Sequence, residues 1–141
     1  MKRVLILCTG NSCRSQMAEA LWNELGRGAW TADSAGSKPA GYVHPLAVEA
    51  MREIDLDIAE GRSKSLEEFR GQSFDLVITV CEHAKESCPV FLGAQQAHHW
   101  PLMDPAEATG THAQRLTQFR LVRNQLRDQI TAWLHDNQTS S

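Results

Sequence analysis

The sequence predicts an α/β fold, a single domain in which a four-stranded parallel sheet is flanked by helices. Three observations predict it. Residues 4–8 (Val-Leu-Ile-Leu-Cys) and 74–80 (Phe-Asp-Leu-Val-Ile-Thr-Val) are short aliphatic runs without breakers, the pattern of buried strands. Helical patterns alternate with them along the chain, as crossovers between parallel strands require. The length of 141 residues suits one compact domain with a core of its own.

Each element follows from its residues. After the strand at 4–8, residues 12–25 read as a helix with Met17, Ala20, Leu21 and Leu25 spaced for one apolar face, closed by Gly26 and Gly28. Residues 30–34 read as a second strand and Ala35-Gly36 as a turn. Pro45 opens a helix running to about residue 54, and a shorter helix is expected at 65–69. The third strand is 74–80 and the fourth 98–102. Residues 111–135 form the longest helix, with Leu116, Phe119, Val122, Leu126, Ile130 and Trp133 on one face. Arg115, Arg120, Arg123 and Arg127 are expected on its wet face, and Trp22, Trp30 and Trp133 in the core. His98-His99 reads as strand packing. The domain is expected over 1–136, with 137–141 (Asn-Gln-Thr-Ser-Ser) a frayed tail.

Composition excludes several classes. A net charge of −3 gives no reason to expect nucleic acid or an acidic membrane as partner. No apolar run approaches the roughly 20 residues of a spanning helix. Lys2-Arg3 before the apolar run superficially suggests a signal segment, but five residues fall short of the 7–15 typical of its core. A cytoplasmic monomer without cofactor or metal is expected.

The four cysteines, Cys8, Cys13, Cys81 and Cys88, carry the functional signal. In a reducing compartment, catalytic or redox roles come forward over structural disulfides. Burial as small hydrophobes is the bland alternative. A zinc site from Cys81, Cys88 and His83 or His98 is disfavoured by the seven-residue separation of the cysteines. In parallel sheets the site lies beyond the carboxyl ends of the strands, and both Cys8 and Cys81 end one. Between the first strand and helix stand Cys8, Thr9, Gly10, Asn11, Ser12, Cys13, Arg14 and Ser15. Successive N–H groups in such a turn form an anion nest, reinforced by the helix N-terminus. Gly10 and Asn11 tolerate left-handed backbone. Arg14 adds a planar fork for two oxyanion oxygens, and Ser15 lies close enough to donate to a Cys8 thiolate. Cys8 is therefore the expected nucleophile.

Cys8-x5-Arg14-Ser15 so near the N-terminus resembles the phosphate loop of the low-molecular-weight protein tyrosine phosphatase fold. The string Cys-Thr-Gly-Asn-Ser-Cys-Arg-Ser-Gln-Met-Ala-Glu, residues 8–19, resembles in detail the thioredoxin-coupled arsenate reductases built on that fold. The phosphatases usually carry Pro where this chain has Gln16. The likeness continues through Ser34-Ala35-Gly36, Ala50-Met51, Asp75-Leu76-Val77, Cys81, Cys88 and His99-Trp100 to Asp104-Pro105.

The resemblance implies reduction of arsenate by a relay from Cys8 to Cys81 to Cys88, with thioredoxin as final reductant. It implies that Asp104 is the general acid for the leaving oxygen. Some resembling enzymes bind potassium beneath the loop, and Asn11, Glu19 and Ser34 match three of its ligands. Where those enzymes carry an Asp ligand this chain has Lys64, whose ammonium is expected to replace the ion by pairing with Glu19. Ala84-Lys85-Glu86 suggests a helix over 82–88. Seven helical steps span about 10 Å, too far for a disulfide, so this stretch is expected to refold in turnover. A phosphatase is the first competitor, needing Cys8, Arg14 and Asp104 but neither Cys81 nor Cys88. A non-enzymatic oxyanion sensor is the second.

Overall fold

The structure, a computed structural model, describes residues 1–82 and 89–137. Strands β1 (Lys2–Cys8), β2 (Trp30–Gly36), β3 (Phe74–Thr79) and β4 (Ala94–His99) form one sheet in the order β2-β1-β3-β4. Every pairing is parallel, with Cys8 opposite Gly36 and Leu7 opposite Thr79. Helices α1 (Arg14–Leu25), α2 (Pro45–Arg52) and α3 (His112–Asn137) complete the frame. Short 3-10 helices lie at Leu66–Phe69 and Pro105–Glu107.

Alternation along β1 divides the core between two faces. Val4 and Ile6 join Met17, Leu21, Leu46, Met51, Phe119 and Leu126 in the larger cluster, where all three helices pack. Leu5 and Leu7 face a smaller cluster closed by Leu66, Phe69 and Phe74, with Phe91 packed against it. Both faces are covered, but the second is roofed by a 3-10 turn and aromatic rings. Trp22 and Trp30 are buried and Trp133 packs against the larger cluster. These indoles meet with ring centroids 5.4 to 5.6 Å apart.

Three expectations need correction. The fourth strand lies at Ala94–His99, not 98–102. Gln95, Gln96, Ala97 and His98 are exposed on this edge strand. Its position is set by backbone pairing with β3 and not by an apolar pattern, so propensity misses it. The chain still runs beside β3 beyond the strand, where Trp100 N–H donates to Thr79 at 2.8 Å. His98 is exposed, while His99 hydrogen-bonds Thr79 Oγ1 at 2.7 Å.

Arg123 is not on a wet face: it is buried, and its guanidinium donates to the Ala50 carbonyl at 2.7 Å and to Glu53 at 2.8 Å. Arg120 grips the same carboxylate, at 2.6 to 2.9 Å. Hydrogen bonds from Arg120 and Arg123 hold the Glu53 carboxyl far down, at about 2, and lock α3 to the end of α2. Asn137, expected in the frayed tail, closes α3 and donates to the Trp133 carbonyl; 138–141 lie outside the described residues.

Candidate active site

Residues 8–14, together with Asp104 and Glu107, line a cavity of about 270 Å³ beyond the carboxyl end of β1. Four consecutive carbonyls of this loop are engaged from outside. Thr9 accepts from Lys38 N–H, Gly10 from Ala40 N–H, and Ser12 from His44 N–H, at 2.8 to 2.9 Å. The Asn11 carbonyl accepts from Gln16 Nε2 at 3.2 Å. Because each peptide is planar, turning carbonyls outward turns the N–H groups toward the cavity. At the start of α1, Cys13 is the N-cap residue and makes no side-chain capping bond. The Cys13 side chain therefore claims none of the first helical N–H groups.

Of the two residues expected in left-handed backbone, only Asn11 adopts it, with φ 49°; Gly10 does not. The glycine that the loop demands is Gly36, read from sequence as a turn but found at the end of β2. A Cβ there would collide with the Thr9 carbonyl.

Cys8, the expected nucleophile, sits inside a hydrogen-bond network. Cys8 is buried, and its Sγ receives the Asn11 N–H at 3.2 Å and lies 2.8 Å from Ser15 Oγ. Asn11 Nδ2 donates to Ser15 Oγ at 2.7 Å and to Ser34 Oγ at 2.9 Å. After accepting from Asn11, Ser15 Oγ keeps its own hydrogen and a second lone pair, so it can donate to a Cys8 thiolate or accept from the thiol. Ser34 passes its own hydrogen to Glu19 at 2.8 Å. Lys64 Nζ lies 3.4 Å from the same Glu19 oxygen and 3.0 Å from the Arg62 carbonyl, while Lys64 N–H donates to Asn11 Oδ1 at 2.7 Å.

Cys13, in the same loop, differs. Desolvation pushes its thiol up to about 12, only partly offset by a weak contact with Ser12 Oγ at 3.5 Å; Asp104 and Cys8 add to the rise. Arg14 is buried and anchored by the Leu102 carbonyl at 3.1 Å, with its other nitrogen 3.7 Å from Asp104. Asp104 also caps the second 3-10 helix through Ala106 N–H, so its carboxylate is held at the cavity mouth.

Cys81 lies two residues past β3, fully buried. Val80 N–H bonds the Leu7 carbonyl at 2.9 Å, so the ends of β1 and β3 that carry Cys8 and Cys81 are neighbours. Cys8 and Cys13 are free thiols, while Cys81 is disulfide-bonded. Cys88, and the helix expected over 82–88 except for Glu82, lie outside the described residues. Among the described residues no group of three His, Cys, Asp or Glu could hold a metal ion, and no helix is long and apolar enough to cross a membrane.

Sequence reasoning missed three contributors. Glu107 joins Asp104 at the cavity mouth, a placement that only the 3-10 turn creates. His44 caps α2 through Nδ1, accepting the Leu46 N–H at 3.1 Å, and a His-Pro pair before a helix was the available signal. Gln16 was visible only as a departure from the phosphatase pattern.

A family model described as low molecular weight phosphotyrosine protein phosphatase matches residues 3–140. An arsenate reductase of Halalkalibacterium halodurans is 42% identical over 129 residues, covering 92% of each chain. An arsenate reductase structure in the phosphate binding state superposes with a TM-score of 0.79 at 33% identity, covering 96% of this chain and 98% of the other. A thioredoxin-dependent arsenate reductase of Corynebacterium glutamicum superposes with a TM-score of 0.73 at 26% identity, covering all of this chain and 64% of the other.

Proposed function

The chain belongs to the low molecular weight phosphotyrosine protein phosphatase family, and from that premise we propose that it reduces arsenate to arsenite. The observation that carries the reading is a hydrogen-bonded Cys8 lining a cavity with Arg14 and Asp104, with a second, redox-active sulfur, Cys81, just past the end of the neighbouring strand.

Arsenate enters the loop, its oxygens met by the N–H groups of residues 9–14 and the Arg14 guanidinium. The Cys8 thiolate attacks arsenic, forming a sulfur–arsenic bond, and Asp104 gives a proton to the departing oxygen, which leaves as water. General acid help of this kind is worth ~10²–10⁴ in rate. The Cys81 thiolate then attacks Cys8 sulfur. The sulfur–arsenic bond breaks, its electron pair stays on arsenic, and arsenite departs, leaving a Cys8–Cys81 disulfide. Arsenic has gained two electrons and the two thiols have lost them. Cys88 next attacks Cys81 and returns Cys8 to its thiolate. A free Cys8 beside a disulfide-bonded Cys81 fits the state after that exchange.

Thioredoxin, named for the Corynebacterium relative, is the proposed final reductant. A cytoplasmic monomer without resident cofactor accords with a thiol relay that needs a reducing compartment. Phosphate fits the same loop, so slow phosphoester hydrolysis is an expected side activity.

The test is a steady-state assay with arsenate, thioredoxin and its reductase. Cys81→Ser and Cys88→Ser should each abolish sustained reduction while largely sparing hydrolysis of an artificial phosphoester. A Cys88→Ser enzyme turning over at the unmodified rate would refute the relay.

A further inference from the structure

We infer that Gln16 is a positioning residue for Cys8, acting through Asn11. The inference rests on the proposed nucleophile and extends it. Gln16 is buried in the first turn of α1. Its carboxamide nitrogen faces three oxygens: Asn11 O at 3.2 Å, Asn11 Oδ1 at 3.0 Å and Arg62 O at 2.9 Å. All three are carbonyl acceptors, so the –NH₂ end must face them; an amide turned the other way would set oxygen against oxygen. One hydrogen serves Arg62 and the other is shared by the two Asn11 oxygens.

The consequence lies in Asn11. It is fully buried in left-handed backbone, a conformation that costs energy for a non-glycine residue unless its surroundings enforce it. Gln16 holds its main-chain and side-chain oxygens together, and Lys64 N–H adds the second bond to Oδ1. So held, the Asn11 amide has its nitrogen aimed at Ser15 and Ser34, and its main-chain N–H at Cys8. One carboxamide thus fixes two routes by which hydrogen-bond donors reach the nucleophile: Asn11 N–H directly, and Asn11 Nδ2 through Ser15. It also ties the 62–64 segment to the loop. A proline at this position could make none of these bonds.

The experiment measures the pH profile of Cys8 alkylation by iodoacetamide, with the modified peptide identified by mass spectrometry. It compares unmodified enzyme with Gln16→Met, which keeps the length of the side chain but not its donors, and Gln16→Glu. The profile of Gln16→Met should move to higher pH, with the rate at pH 7 reduced about three- to tenfold, the scale of one lost hydrogen bond. In Gln16→Glu a carboxylate confronts three carbonyl oxygens, and the shift should be at least as large. Phosphoester hydrolysis should fall in kcat more than it rises in KM. A Gln16→Met profile superimposed on the unmodified one overturns the inference. An unmodified Cys8 that alkylates no faster than a small free thiol at pH 7 instead overturns the nucleophile reading. If neither variant folds, the unmodified protein decides. The Gln16 side-chain amide protons should exchange slowly with solvent and shift when inorganic phosphate is added; fast exchange would show that the brace is not there.

Discussion

Cys8 and Cys13 stand in one loop and are equally buried, at 2% and 3% exposure, yet the structure surrounds their sulfurs differently. Burial alone disfavours a thiolate. At Cys13 it dominates and the thiol is pushed up to about 12. Around Cys8 stand the Asn11 N–H and the Ser15 hydroxyl, both oriented by bonds running back to Glu19 and Lys64. The two sulfurs differ in the polar contacts organised around them, and on the proposed function that difference separates the nucleophile from its neighbour. The loop therefore has two halves: the Cys8 half braced by α1, β2 and the 62–64 segment, and the Cys13 half leaning on the start of α2 through Ser12 and His44.

The largest test of this contrast swaps the thiols. Cys8→Ser should reduce arsenate turnover by ~10³-fold or more, since a serine hydroxyl is not ionised near neutral pH. Cys13→Ala should leave turnover within about threefold, at a stability cost of ~1 kcal/mol for the lost packing. At pH 7.5 iodoacetamide should label Cys8 and spare Cys13. A folded Cys13→Ala enzyme without activity would break the comparison.

A middle-sized effect is expected beneath the Cys8 half. Lys64 is nearly buried beside Glu19, with side-chain exposures of 11% and 25%. The sequence resemblance implies that this ammonium takes the place of a potassium ion, an expectation to be tested. The melting temperature of the unmodified protein should respond little when potassium replaces sodium at fixed ionic strength. Lys64→Ala strands the Glu19 carboxylate and should cost ~1–3 kcal/mol. Lys64→Asp should create a potassium-specific stabilisation. A large potassium effect on the unmodified protein would show that Lys64 does not substitute for the ion.

How much of this was legible in the sequence follows the range of the forces involved. The loop could be read because a breaker-free aliphatic strand, a Cys-x5-Arg spacing and a helix start are contiguous. The face of α3 could be read because apolar periodicity is local. Ala94–His99 could not, because an exposed edge strand of Gln and His is defined by the partner it pairs with. Arg123 could not, because its acceptors, Ala50 and Glu53, are about seventy residues away. Gln16 failed for the same reason at one remove: one acceptor is five residues away and another forty-six. For the edge strand, Arg123 and the Gln16–Arg62 bond the deciding contact was long-range and polar, a term that local pattern does not contain.

The smallest expected effect tests the Cys13 half, through His44. This imidazole accepts the Leu46 N–H on Nδ1, so its proton must sit on Nε2, and its ring lies against Phe119 with centroids 4.8 Å apart. Desolvation first, then the Arg115 charge, lower its pKa below 6.5, with Asp104 opposing. Neutral imidazole is thus favoured more in the folded chain than in the unfolded one. Its contribution is complete above pH 6.5 and is lost as pH falls through that value toward the lower folded one. Protonation places an N–H where the cap needs an acceptor, freeing the first turn of α2 and slackening the hold of His44 on Ser12. A helix cap is worth ~1 kcal/mol, or about 2–5 °C in a chain of this size. Glu53, held at about 2, stays charged throughout this range and does not confuse the reading. Between pH 7.5 and 5.5 the melting temperature of the unmodified protein should therefore fall by about 2–5 °C more than that of His44→Asn, whose amide caps without titrating. Parallel pH slopes for the two proteins would mean that the imidazole cap contributes nothing measurable to stability over this range.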